Sequence, residues 1–367
     1  MVSDFLKMSM LAGLLAFMAH ALVSFMLYLD LNKRAFNHVP GQCSSVAGIE
    51  HGAVDMEMLP NGNLIVSTGT RFYNGTDFED KASEVRGVIY VYNATAKSAW
   101  EAKLDSKTLN SKNFNPHGLS ILSTPHSLFV VVVNHRRKMD TVEVFRYSET
   151  ENDKKLTHVR TVKSPLFYNL HDVLAVSKDR FYASRFHYFR EETGQNLELY
   201  FSLRLGSIIY FDGKNASSVV DRIATPSGLA LDKSKRYIYV TSLTGEKILI
   251  YKKENDFNLT FNSELPLYTS PQHITVDPYT ADLYVACHPV KSRFFRHTSS
   301  PKSIYAPSQV LKLHGRPTRN WTVTSVFEND GATLSASSVA LKMKDRLIVG
   351  SNHDKMLACD LEAESLL

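Results

Sequence analysis

Six stretches of this chain repeat one plan, and no other feature of the sequence restricts the fold so sharply. Each is an apolar run, a polar turn, and a second apolar run ending in a small or polar residue. They read DMEMLPNGNLIVSTG from Asp55, GLSILSTPHSLFVVVVNH from Gly118, DVLAVSKDRFYASR from Asp172, GLALDKSKRYIYVTS from Gly228, ITVDPYTADLYVACH from Ile274 and SVALKMKDRLIVGSN from Ser338. Their turns, PNGN, STPHS, SKDR, DKSKR, DPYTA and KMKD, carry hairpin chemistry. A further strand follows each unit: GVIYVYN, TVEVFRY, SIIYFDG, KILIYKK, QVLKLHG and MLACDL. Successive units start 63, 54, 56, 46 and 64 residues apart, which leaves room for four short strands each. The expectation is an all-β chain folded as a six-bladed β-propeller. The start of each innermost strand then faces a central channel. Val54, Asp55, His117, His171, Asp172, Ser227, Gln272, His273 and Ser337 are predicted to converge there although distant in sequence. Helical periodicity appears in one short stretch of this body, QNLELYFSLRL at 195–205.

The N-terminus follows different rules. From Met8 to Leu29 the chain carries no formally charged residue, and its 22 residues at about 1.5 Å each span the roughly 30 Å hydrocarbon core. A cleaved signal peptide with Ala19-His20-Ala21 at the cleavage site is the rival reading. The apolar run continues past that point through Leu22, Val23, Phe25, Met26 and Leu27, which argues for an uncleaved signal-anchor. The expected organisation is a short cytoplasmic tail at 1–7, a membrane span at 8–29 and a body at 30–367. Flanking charges are nearly balanced and do not set orientation.

Orientation comes from five N-x-[ST] sequons at Asn74, Asn93, Asn215, Asn258 and Asn320, whose spread behind an anchor favours a lumenal or extracellular body. Of the three cysteines, Cys43 follows the membrane segment and Cys359 lies eight residues from the C-terminus, placement that suits one disulfide joining the two ends. Cys287 is left over, and reads as a buried, inert thiol. The 367 residues are 44% apolar and 22% charged, enough for a large core and unlike a disordered chain or a disulfide miniprotein. A net charge of +5, scattered through the chain, argues against nucleic acid as a partner.

The stretches CSSVAGIEHGAVDMEMLPNG, FNPHGLS, VVNH with DTVEVF, NLHDVLAV, ITVDPYTADLYVACHP and LACDL resemble the paraoxonase/arylesterase family in order and spacing, from Phe36 to Leu361. That resemblance implies a six-bladed propeller with a retained N-terminal hydrophobic segment, an end-joining disulfide matched by Cys43 and Cys359, and two calcium ions in the channel. One ion is structural; the other lies under the active site and is held by a Glu, three Asn and an Asp. The departures fall on that second set. Its Glu corresponds to Val54, two of its Asn to His171 and Ser227, and its Asp-Asn pair to Gln272-His273. Both carboxylates are lost. Calcium takes six to eight hard oxygens, whereas Val offers none and imidazole is a nitrogen donor. The expectation is one structural calcium, on Asp55 and Asp172 with Leu119 at the family's backbone-carbonyl position, and no catalytic one. The family's proposed histidine pair matches His117 and His135, which read either as that pair or as satisfied structural histidines. His117, His171 and His273 all begin inner strands, and three imidazoles also suit a borderline metal such as zinc.

Without an electrophile to polarise an ester or lactone carbonyl, the expected function is non-catalytic. Within the family the pattern resembles the nematode paraoxonase-like proteins that assist degenerin-type sodium channels. That likeness implies an accessory subunit or chaperone in the endoplasmic reticulum membrane, extending to the plasma membrane. The alternative is a calcium-dependent arylesterase or lactonase with a rearranged site. Contacts with a partner are expected from VKSRFFRHTSSPK at 290–302, with Arg293, Phe294, Phe295 and Arg296, unless that stretch is a solvated loop. The basic run 135–138 reads as an exposed turn.

Overall fold

The computed structural model describes residues 2–49, 52–68, 87–107, 109, 114–136, 139–150, 153–301, 303–317 and 320–361. Each repeat builds an antiparallel sheet because its alternating apolar residues bury two faces between neighbours. The six sheets are the blades of a propeller. Their inner strands are Asp55–Met58, Pro116–Thr124, Leu170–Ser177, Pro226–Leu231, Ser270–Val276 and Ser337–Met343 in blades one to six. Each inner strand contacts the next, and the sixth contacts the first, so the ring closes. Blade two carries a fifth, parallel strand, Lys103–Asp105.

Closure is made at the ends of the chain. Cys43–Ser45 supplies the outer strand of the last blade by pairing antiparallel with Leu357–Asp360. Cys43 stands opposite Cys359 in that register and the two form a disulfide across 316 residues. In the chain-entropy account such a loop contributes about 6 kcal/mol. Cys287 is a free, buried cysteine, and burial raises its thiol pKa well above the ordinary value.

The core is divided among the blade interfaces. Six clusters of buried apolar side chains each join two adjacent blades. Phe129, Val131 and Val144 of blade two meet Val173, Phe181 and Ile209 of blade three, and Met56 and Leu64 of blade one meet Val339 and Leu341 of blade six. Hydroxyls complete these joints. Ser67 Oγ donates to His117 O at 2.6 Å, Ser184 Oγ to Ser227 O at 2.5 Å, and Thr241 Oγ1 to Gln272 O at 2.5 Å. In three blades, therefore, a hydroxyl at the penultimate position of the second strand clamps the first strand of the next blade.

Three helices gather on the face where the inner strands begin. The N-terminal helix α1, Val2–Tyr28, is long and apolar enough to cross a membrane and its membrane-length window is not buried by the rest of the chain. Helix α2, Glu192–Phe201, forms close to the predicted 195–205 stretch. Helix α3, Lys291–Ser299, occupies the stretch read as a contact segment or loop. Phe294 and Phe295 of α3 are buried with Leu243, Ala306 and Ala336, so they serve the cap, while Arg293 and Arg296 are exposed. Helix α1 ends one residue before the predicted limit of the span, and Leu29 joins that same buried cluster. The junction is polar and buried: Lys291 Nζ lies 2.6 Å from Glu246 Oε1 and 4.5 Å above the Tyr28 ring, and Lys291 N donates to Asp30 Oδ2 at 3.1 Å.

Candidate functional site

The site is the upper channel, where inner strands begin beneath the helices. His117 and His171 stand at the second residues of their strands, and His273 is the fourth residue of Ser270–Val276. Ring centroids separate by 4.6 Å for His117 and His171, 4.7 Å for His171 and His273, and 5.8 Å for His117 and His273. All three are buried. Close approach of the strands depends on the glycines that follow. A Cβ on Gly118 would lie 2.5 Å from Asp172 Cα, and one on Gly228 would lie 2.7 Å from His273 Cα.

Each predicted calcium position can be followed. Val54 is fully buried and has no side-chain oxygen. Ser227 Oγ is within hydrogen-bond distance of Thr241 Oγ1 at 2.9 Å and of the Pro271 and Gln272 carbonyls at 3.2 Å. Gln272 Oε1 faces His288 Nε2 at 2.9 Å, which commits the one side-chain oxygen left. His171 and His273 fill the remaining positions with imidazole. The upper set does not fit calcium, because its oxygens are already engaged and its free donors are nitrogen.

Just below, Asp55 and Asp172 converge. Asp55 Oδ1 accepts from Met56 N at 2.8 Å and Oδ2 from Leu119 N at 2.8 Å; Asp172 accepts from Val173 N and Leu229 N, both at 2.7 Å. Leu119 therefore meets Asp55 through its N–H. Burial, together with the charge of Asp172, lifts the Asp55 pKa to about 7, against the opposing pull of His273. His273 Nδ1 lies 3.5 Å from a carboxylate oxygen of each. Burial alone would lower the His273 pKa, but the two aspartates outweigh it and the net direction is up. Two convergent buried carboxylates fit a hard cation in kind. Asp55 and Asp172 would hold it, and its contribution would be to neutralise their charge and tie blades one and three.

His135 packs edge-on against His117, with centroids 4.9 Å apart, and its Nδ1 lies 3.0 Å from Asp140 Oδ1. The two histidines matched to the family pair are thus brought together, and His135 is oriented by a carboxylate that the sequence reading passed over. Burial, then the neighbouring imidazoles, lower the pKa of His117 and His171 well below the ordinary histidine value. The reading also missed the roof. Phe186 stacks on His171 at 5.0 Å and Phe294 on His288 at 3.6 Å. The FFRH stretch was a partial signal for it. The lower half of the channel opens as a cavity of about 260 Å³ lined by Glu57, Ile121, Ala175, Leu231, Asp277 and Lys342 among others.

Of the five sequons, Asn74 lies outside the described residues. Asn215, Asn258 and Asn320 are exposed and Asn93 is half-buried. Asn215, Asn258 and Asn320 lie in the connections between the third and fourth strands of their blades, and Asn93 ends the third strand of its blade, beside the same connection. Strand alternation puts those connections on the face opposite the helices.

This channel, with its terminal strand closure, disulfide and paired carboxylates, defines a propeller of the arylesterase class. The arylesterase family profile matches residues 24–361, and the chain belongs to that family. It is 32% identical over 321 residues to serum paraoxonase/arylesterase 1 of Rattus norvegicus, covering 87% of this chain and 88% of that protein. It is 26% identical over 362 residues to serum paraoxonase/lactonase 3 of Oryctolagus cuniculus, covering 98% and 100%. Among solved structures, a luciferin-regenerating enzyme superposes with a TM-score of 0.52 at 11% identity over 87% of this chain and 95% of that one, a likeness of fold.

Proposed function

We propose that this chain is a non-catalytic, membrane-anchored member of the arylesterase family, acting as an accessory subunit or endoplasmic-reticulum chaperone for a membrane channel of the degenerin type. The observation that carries the reading is the upper channel: Val54, His171 and His273 bring no side-chain oxygen, and those of Ser227 and Gln272 are hydrogen-bonded within the protein, so the carboxylate-rich seat of the family's electrophile is gone. Helix α1 is the second support. An anchored body is concentrated beside other membrane proteins, which raises effective concentration for weak contacts. With the sequon turns facing away from α1, the lumenal or extracellular placement leaves the glycans clear of the bilayer.

Co-expression with a degenerin-type channel tests it. Surface biotinylation is expected to show more channel at the cell surface with the full chain, and no gain when residues 2–28 are deleted. The variant Val54→Glu/His171→Asn/Ser227→Asn is expected to keep the gain if the contacts lie outside the channel. An unchanged surface level with the full chain would sink the proposal.

The alternative, a calcium-dependent arylesterase or lactonase, takes its support from the His117–His135–Asp140 series and from the names of the curated relatives. Its mark would be chelator-sensitive hydrolysis that requires His117.

A further inference from the structure

We propose that His117, His171 and His273 form a nitrogen-ligated site for a divalent transition ion of the zinc class, in the place where the family uses oxygen ligands. One ligand nitrogen from each lies within 4.8 Å of the others, and all three residues are buried. Three imidazoles are a sufficient protein donor set for zinc, and such nitrogens select against calcium.

The nitrogens are prepared for it. His171 Nδ1 and both nitrogens of His273 are buried without a hydrogen-bond partner, a state that costs free energy and that a bound ion would relieve. Ligand histidines ordinarily pass their other nitrogen to a carboxylate or carbonyl that sets tautomer and aim. His117 does this through Nδ1, 2.7 Å from His171 O. His273 approaches it through Nδ1, 3.5 Å from Asp55 Oδ1 and Asp172 Oδ2. His171 is held by stacking on Phe186. The bound ion would tie blades two, three and five across the channel, and binding to the folded chain alone raises stability by mass action.

The same His273 also forms a mixed cluster with Asp55 and Asp172, so the experiment separates the two. Tag-free, detergent-solubilised full chain is stripped with chelator, then titrated with Zn2+ or Co2+ alone, reading bound metal, melting temperature and the visible absorption of Co2+. One ion per chain is expected, with a higher melting temperature and an absorption spectrum of nitrogen coordination. His171→Asn is expected to weaken binding by more than the roughly 10–100-fold that loss of an outer partner costs. Asp55→Asn/Asp172→Asn is expected to retain the ion. X-ray absorption of the unaltered chain keeps the proposal testable if a variant fails to fold, with about three nitrogen scatterers near 2.0–2.1 Å expected. Oxygen-only coordination, no tight ion, or binding lost in the aspartate variant but kept in His171→Asn would each overturn it.

Discussion

At the residue scale, the molecule's polar decisions are made by groups that cannot reach water. Glu143 is the clearest. It is buried in blade two, where Thr141 and Thr161 donate at 2.7 and 2.6 Å, Asn134 donates at 3.2 Å, His158 lies at 3.0 Å and Arg136 at 3.2 Å. Burial alone would raise its pKa, but these hydrogen bonds reverse that and hold it below the usual glutamate value. A depressed folded-state pKa contributes stability that is fully present above the unfolded glutamate pKa. That stability is lost as pH falls through the folded value. Melting curves are therefore expected to drop on acidification below the ordinary glutamate range, and Glu143→Gln is expected to flatten that part of the profile. An equal acid response in both proteins would contradict the assignment. The channel differs from Glu143 in kind. There the family's two acidic ligands are matched by Val54 and Gln272 and its three Asn by His171, Ser227 and His273, and these substitutions are visible residue by residue in the sequence. What those side chains bond to was not visible, because Ser227 and Gln272 spend their oxygens on Thr241 and His288, partners set by the closure of blades.

At the scale of elements, the recurring joint between blades rests on two sequence features of unequal visibility. The small or polar residues near the end of each repeat were plain, and in three blades one of them, Ser67, Ser184 or Thr241, is the interblade hydroxyl clamp. The glycines after His117 and Ser227 were visible as letters, but their purpose appears only when strands from adjacent blades meet. A Cβ on Gly118 would press within 2.6 Å of His171 O, and one on Gly228 within 2.7 Å of Gln272 O. Backbone atoms cannot step aside cheaply in a closed ring. Gly118→Ala and Gly228→Ala are each expected to destabilise by about 1–3 kcal/mol, the usual cost of overpacking. Denaturant titration measures this, and a loss under 0.5 kcal/mol in both would show that the strands are not as tightly apposed. The helices were harder to read. Helix α3 has too few apolar residues for a periodic signal, and its Phe294 and Phe295 look the same in a contact loop as in a cap. Only the docking of Leu29 and Phe295 in one cluster reveals that the cap joins the N-terminal helix to the propeller.

At the scale of the whole molecule, the fold was legible because six repeats and two terminal cysteines overdetermine a closed propeller. The function was not, since a propeller hosts many chemistries and the answer depends on a few channel oxygens. Topology adds a directional feature: α1 and its partner helices occupy one face, and the connections at or beside Asn93, Asn215, Asn258 and Asn320 occupy the other. The chain expressed in animal cells is expected to stay with membranes through an alkaline wash and to shift in mass on removal of N-linked glycans. Release by the wash, or a mass insensitive to the glycosidase, would contradict an anchored lumenal or extracellular body.

The most direct test of the account's centre, that this channel has lost the family's calcium-dependent hydrolysis, is an assay of aryl-ester and lactone turnover by the purified full chain. It is run in calcium, with chelator, and with His117→Gln. The account expects no turnover above the His117→Gln background in either condition. Turnover that requires calcium, disappears with chelator and is abolished by His117→Gln would contradict it and make the protein an enzyme.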